Sequence, residues 1–284
     1  MIIDRELLKT PGMENLAAVV KKWEMVSKNT QNLVKGEPIL IPDMLWKTPA
    51  GIGKTDLLAE MAQRLESLRN VMDFYGDVLF FEFYLEYCRP EEPFTELTRL
   101  MEEVDKASGF RNEYRGIIHV DIGQWIGKTD QRYFKTFLEY LADNSDNWLI
   151  VLSMPNEKTE EIARAEALIS AYLRVEVVEL SLPDDAFLVQ RVQEYLQRYD
   201  VALQPDAIAL LTQSIGKLRT GKYFDGYKTV NMLCRDIIYE LFSGETYQKS
   251  PLTPEDLQRF APDSAYIERM IVKSETRNAN RIGF

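Results

Sequence analysis

The chain reads as an α/β sandwich built on a parallel sheet, followed by a small all-helical domain. Between residues 40 and 180, short apolar runs alternate with amphipathic stretches, the order expected of parallel strands joined by crossover helices. The runs are continuous in Val, Ile, Leu and Phe rather than alternating, as strands covered on both faces tend to be. After Leu182-Pro183-Asp184-Asp185 no strand pattern recurs, and only helical stripes remain. These features predict an α/β domain over 1–182, a helical domain over 183–262 and a tail over 263–284.

Taken in order, Met13 to Ser27 places Leu16, Val19, Val20 and Trp23 at helical spacing. The expected strands are Ile41 to Trp46, Val78 to Tyr84, Gly116 to Ile122, Trp148 to Ser153 and Val175 to Leu180. Helices are expected between them at Asp56 to Val71, Pro93 to Lys106, Gln131 to Asn144 and Glu160 to Tyr172. In the second domain, Ala186 to Tyr199, Pro205 to Ile215 and Tyr227 to Phe242 carry apolar stripes. Thr253-Pro254-Glu255-Asp256 combines an N-cap candidate with proline at the first helical position.

Composition excludes several classes of function. Of 284 residues, 45% are apolar and 28% charged, ordinary values for a globular protein, and no stretch approaches the roughly 18 uninterrupted apolar residues of a membrane span. The opening Met1-Ile2-Ile3-Asp4-Arg5-Glu6 lacks the features of a secretory signal, so a cytoplasmic location is expected. Cys88, Cys234 and the single His119 rule out a disulfide framework and a multi-cysteine or multi-histidine metal site. A net charge of -11 argues against a broad electrostatic grip on nucleic acid, although Arg269 to Arg281 forms a basic segment. His119 is expected in the core, and Glu82, inside the aromatic strand Phe80-Phe81-Glu82-Phe83-Tyr84, needs a partner or a wet face.

One segment carries chemistry. Phosphate binding requires small residues whose backbone N–H groups converge on the anion, a lysine to reach the β- and γ-phosphates, and a hydroxyl for magnesium. Thr48-Pro49-Ala50-Gly51-Ile52-Gly53-Lys54-Thr55-Asp56 supplies these parts between an expected strand and an expected helix, although Thr48 stands where the consensus has its first glycine. Pro49, Ala50, Gly51, Ile52, Gly53, Lys54, Thr55 and Asp56 are therefore candidate nucleotide contacts, with Lys54 catalytic and Thr55 a metal ligand. The strand Gly116-Ile117-Ile118-His119-Val120-Asp121 ends in a carboxylate suited to hold magnesium through its water shell, which makes Asp121 the second metal candidate. Ile126-Gly127-Lys128-Thr129-Asp130 repeats Ile52 to Asp56, but no apolar strand ending in a carboxylate follows to complete a magnesium site.

The chain resembles the AAA+ ATPases, in particular the subgroup of CbbX-type rubisco activases, sporulation stage V protein K and the type VII secretion ATPases. The resemblance rests on Glu6-Leu-Leu-Lys-Thr-Pro-Gly12-Met13-Glu14-Asn15-Leu16 as the entry segment and on Ile41 to Leu65 as strand, phosphate loop and helix. Phe137 to Ser153 resembles the helix and sensor-1 strand, and Val178 to Asp184 the link into the lid. It implies a P-loop NTPase fold with an AAA+ lid, ATP or ADP with Mg2+ as cofactors, and Gly12 and Met13 near the adenine. Ser153, or Asn156, would be sensor 1, Lys228 sensor 2 and Arg174 an arginine finger acting on a neighbouring subunit.

Two departures stand out. Ile122 follows Asp121 where the family carries the glutamate that activates water, and Tyr87-Cys-Arg-Pro-Glu-Glu-Pro-Phe94 replaces the aromatic pore loop. The expected function is an ATP-binding AAA+ protein that hydrolyses slowly or switches conformation with nucleotide, acting on a protein client in a hexamer or looser homo-oligomer. A non-hydrolytic adaptor of the same fold and a DNA-linked ATPase, such as a helicase loader or transposition regulator, are the alternatives.

Overall fold

A computed structural model of the protein describes residues 7–32, 39–68, 70–71, 78–84, 116–127, 132–145, 148–220, 224–244 and 251–260. The expected helix at 93–106, the pore-loop segment at 87–94, Lys128 to Asp130 of the repeated motif and the tail from 263 lie outside these residues. The chain divides into two compact units, one of residues 1–49 and 54–181, the other of 50–53 and 182–284.

Among the described residues, the first unit holds five strands, β1 (Asp43–Lys47), β2 (Leu79–Tyr84), β3 (Gly116–Asp121), β4 (Trp148–Met154) and β5 (Val175–Glu179). They form one sheet in the order β2-β3-β4-β1-β5, and every pairing is parallel. β1 is an interior strand between β4 and β5, and its Met44, Leu45 and Trp46 are wholly buried, as expected of a strand covered on both faces. β1 starts at Asp43 rather than Ile41. Pro42 has no N–H to give to a ladder, whereas the Asp43 carboxylate accepts the Ile150 N–H at 2.9 Å.

Around this sheet lie α1 (Glu14–Thr30), α2 (Lys54–Glu66), α3 (Arg132–Asn144) and α4 (Glu160–Tyr172). One sheet face, with Leu45, Ile118, Val120, Ile150 and Leu152, packs on Phe134, Phe137, Leu138 and Leu141 of α3 and Ile162, Ala165 and Ile169 of α4. Trp125, in the turn after β3, sets its ring edge-on to Phe134 and Phe137 at centroid distances of 5.1 and 5.3 Å, a favoured aromatic geometry. α1 contacts β5, and α2 contacts β2 and β3. Leu16, Val19, Val20 and Trp23 form the buried stripe of α1, as their spacing requires. α2 stops at Glu66, short of the expected Val71; Asn70 turns to φ 62° there and its side chain donates to the Thr30 carbonyl at 2.8 Å, a left-handed position that Asn tolerates.

The described residues of the second unit after 182 form α5 (Asp185–Gln197), α6 (Pro205–Arg219), α7 (Gly226–Ser243) and the single turn α8 (Pro254–Leu257). Leu188, Val192, Ala207, Leu211, Ile215, Val230, Leu233 and Ile237 interlock as its core. Asp184 caps α5 by accepting from the Phe187 N–H at 2.8 Å, and Thr253 with Asp256 forms a reciprocal capping box on α8. The Cys234 thiol lies in this core, and burial pushes its pKa up from 9.0 to about 12.

Two outcomes test this packing. Trp125→Ala should cost about 3 to 5 kcal/mol in urea denaturation, because it empties an aromatic cluster; a loss under about 1 kcal/mol would contradict the packing. Cys234 should stay unlabelled by iodoacetamide in native protein at pH 8 and react once denaturant is added, read by peptide mass mapping. Since the unfolded thiol ionises from 9.0 and the folded one only near 12, its contribution to stability is complete below pH 9 and is lost as pH rises toward 12.

Candidate nucleotide site

In a sheet of this kind ligands gather at the carboxyl ends of the strands, where the strand order reverses. Here the reversal is at β1, since the chain leaves it for the far edge and later returns to its other side as β5. The parallel register sets Trp46 and Asp121 both opposite Ser153. Paired residues point to one face, so Trp46, Ser153 and Asp121 form a row at the carboxyl edge. The chain leaves β1 at Thr48, whose N–H donates to the Met154 carbonyl at 2.9 Å.

Lys54 is the first residue of α2. Its ammonium is ion-paired with the Asp121 carboxylate through Oδ2, while Oδ1 accepts the Gly123 N–H at 3.0 Å. The lysine of the loop and the carboxylate ending β3, 67 residues apart, are thus brought together as the motif requires. The first N–H groups of α2 have no partner within the helix and carry its partial positive charge. Asp121 therefore presents an anionic oxygen to Lys54, and a lysine so engaged, following left-handed Gly51 (φ 68°) and Gly53 (φ 84°) in the chain, has the chemistry that a phosphate group would need. Thr55 and Asp121 are oxygen donors suited to magnesium.

The loop residues Ala50 to Gly53 belong to the second unit. Within it the Gly51 carbonyl accepts the Tyr227 N–H at 2.9 Å, and Gly226 has φ 47°. A Cβ on Gly51 would lie 2.0 Å from the Asp225 carbonyl oxygen, and one on Gly226 would lie 2.5 Å from the Gly51 oxygen, so only glycine fits at either place. Lys228, the sensor-2 candidate on α7, is mostly exposed and paired with Asp225 at 2.9 Å.

The entry segment is tied to the first unit from three directions. Leu8 donates its N–H to buried Glu60 at 3.2 Å, Gly12 accepts from the Ser181 N–H at 3.1 Å, and Asn15 donates to the Glu179 carbonyl at 2.9 Å. Gly12 has φ 90°, and a Cβ there would meet the Ser181 carbonyl oxygen at 2.0 Å. The Gly12 N–H is held by the Glu14 carboxylate at 3.0 Å, and Met13 is wholly buried. Both candidates stand at the carboxyl end of β5 with their hydrogen-bonding groups already engaged inside the chain.

Ser153 is wholly buried, and its hydroxyl meets His119 Nε2 at 2.9 Å; His119 Nδ1 faces Glu82 Oε1 at 3.5 Å. The core histidine thus links β2 to β4 and supplies the partner that Glu82 needed. Sequence could not show this connection, which joins residues on three strands. Trp46 lies beside His119, with ring centroids 6.0 Å apart, and its indole N–H is buried without a partner among the described residues. Asn156, the other sensor-1 candidate, is exposed. Arg174 is exposed immediately before β5. Since Val175 pairs with Asp43 at the start of β1, Arg174 lies at the amino end of the sheet, away from Lys54 and Asp121. Ile122 is wholly buried among Val120, Trp125 and Leu152, on the face opposite Asp121.

The fold is that of the P-loop AAA+ proteins. PCH-2 of C. elegans has a similar structure, with a TM-score of 0.53 and 17% sequence identity over 91% of this chain and 68% of that one. No protein-family model matches the sequence, and no curated protein does. No helix among the described residues is long and apolar enough to cross a membrane.

The buried link is open to direct measurement. His119→Phe should leave Ser153 and Glu82 without their shared partner and cost about 1 to 3 kcal/mol in urea denaturation. An unchanged midpoint would show that the ring contributes no net hydrogen bonding.

Proposed function

We propose that the chain binds adenine nucleotide at the loop Pro49 to Asp56 and uses it to switch conformation, with slow hydrolysis, in an AAA+-type assembly acting on a protein partner. The observation that carries this reading is the Lys54–Asp121 pair at the start of α2, beside a loop of left-handed glycines. No other described part of the chain joins an anion-binding helix terminus to a carboxylate at a strand end in this way.

Each residue has a role that follows from its place. Backbone N–H groups of Gly51, Ile52, Gly53 and Lys54 hold phosphate oxygens, and the Lys54 ammonium neutralises charge that develops on them as the terminal phosphoryl group transfers. Thr55 and, through its water shell, Asp121 would hold magnesium, which would supply further charge neutralisation on the phosphates. Gly12 and Met13, in the first unit, would border the adenine by packing. Ser153, held by His119, fixes the polar edge of β4 beside Asp121. Arg174 stands at the wrong end of the sheet for its own site, which supports a role on the phosphates of a neighbouring copy.

The second reading, an adaptor that binds nucleotide without hydrolysing it, is favoured by Ile122. Its side chain belongs to the apolar core, so no carboxylate extends from that position to take a proton from water. Ile122→Glu would bury a charge in that core and should lower stability. Turnover by the native chain is therefore the discriminating quantity.

Direct titration with ATP and magnesium should show binding, and Lys54→Ala should weaken it by roughly 10- to 100-fold, the worth of a charge-assisted hydrogen bond. Unchanged affinity would remove the loop from the site. Phosphate release should be slow in the native chain and slower still in Arg174→Ala, with the particle mass rising when ATP is added. Release at background in both proteins, with binding intact, establishes the adaptor.

A further inference from the structure

Lys54 and Asp121 are the two charged groups that the proposed site needs, and they are joined to each other in an ion pair. Their side chains are 17% and 26% exposed, so water only partly screens the pair. Both ends are also fixed. Lys54 opens α2, and Asp121 closes β3 between the carboxyl ends of β2 and β4, with Oδ1 engaged by the Gly123 N–H.

Competition follows from this geometry. A phosphate oxygen arriving at the Lys54 ammonium displaces Oδ2 of Asp121, and a divalent cation arriving at Asp121 displaces the ammonium. If phosphate comes alone, Asp121 loses its counter-charge and faces a polyanion with one N–H for compensation; if the cation comes alone, Lys54 is left facing it. Removing one partner from a partly buried ion pair costs far more than exchanging both. When nucleotide and cation arrive together, each charge trades one partner for another.

We propose that the Lys54–Asp121 pair is a latch that makes nucleotide and divalent cation bind as one unit and turns away metal-free nucleotide. The inference rests on the reading that phosphates bind at this loop, and it goes beyond that reading in assigning Asp121 an inhibitory role before any ligand is present. Asp121 then acts in opposite directions, favouring nucleotide when magnesium is present and opposing it when magnesium is removed.

Titration of ATP into the native chain and Asp121→Asn, each with magnesium and with EDTA, tests the latch. In EDTA the variant should bind about tenfold or more tightly than the native chain, because the neutral amide releases Lys54; with magnesium it should bind more weakly. Equal or weaker binding by the variant in EDTA overturns the latch, including the case where neither protein binds. No binding by the native chain even with magnesium overturns the nucleotide site itself, a different result. Asp121→Ala gives the same reading should the amide disturb the Gly123 turn. A nucleotide-free urea denaturation cycle over Lys54→Met, Asp121→Asn and the double variant tests the pair independently. The double variant should be about as stable as the weaker single variant, and strictly additive losses would show that the two groups do not couple.

Discussion

Hydrogen bonds along β4 fix what stands beside what at the functional edge. Because β4 lies between β3 and β1, its register with both sets Asp121 and Trp46 opposite Ser153, and it carries the Thr48 N–H on the Met154 carbonyl. A slip of one residue on either side would turn Asp121 or Trp46 to the other face. Asp121 would then enter the cluster of Val120, Ile150 and Leu152, and Lys54 would lose its partner. The wholly buried apolar residues of β4 make that slip costly, so the chemistry at the edge is inherited from the packing of the sheet.

Much of this architecture can be read from local sequence. Val19, Val20 and Trp23 of α1, the run Trp148 to Ser153 and the cap at Thr253 announce themselves through spacing and residue type, because each depends on neighbours a few positions away. The loop Thr48 to Asp56 stands out as a candidate for the same reason, since its glycines, lysine and hydroxyl are contiguous. Residues whose meaning comes from distant partners are not. His119 reads as an ordinary core residue until β2 and β4 bring Glu82 and Ser153 to it, and nothing local marks Gly226 as the place where the Gly51 carbonyl occupies the space of its missing side chain. Element ends follow the same division: Pro42 and Asn70 shift the boundaries of β1 and α2 through backbone requirements that hydrophobic periodicity does not register.

Binding and hydrolysis ask different things of the site. Holding an anion needs the loop, the start of α2 and Lys54, all supplied by one continuous stretch between β1 and α2. Breaking a phosphoanhydride bond also needs a base near the attacking water, and the residue after Asp121 is committed to the apolar face with Trp125. The sheet alternation that directs Asp121 toward Lys54 directs its successor into the core. Asn156, past the end of β4, is an exposed polar side chain close to this edge in sequence, but it cannot supply a carboxylate.

His119 is the single histidine in the chain, and it is enclosed beside the residue that borders Asp121. A protein with one imidazole has one set of imidazole resonances, free of overlap and needing no engineered label. That ring projects from β3, two residues before Asp121, is hydrogen-bonded to Ser153 on β4 and lies close to the indole that precedes the loop. A rearrangement at the carboxyl edge of the sheet therefore alters the magnetic surroundings of that one imidazole, and the molecule contains its own reporter of this edge.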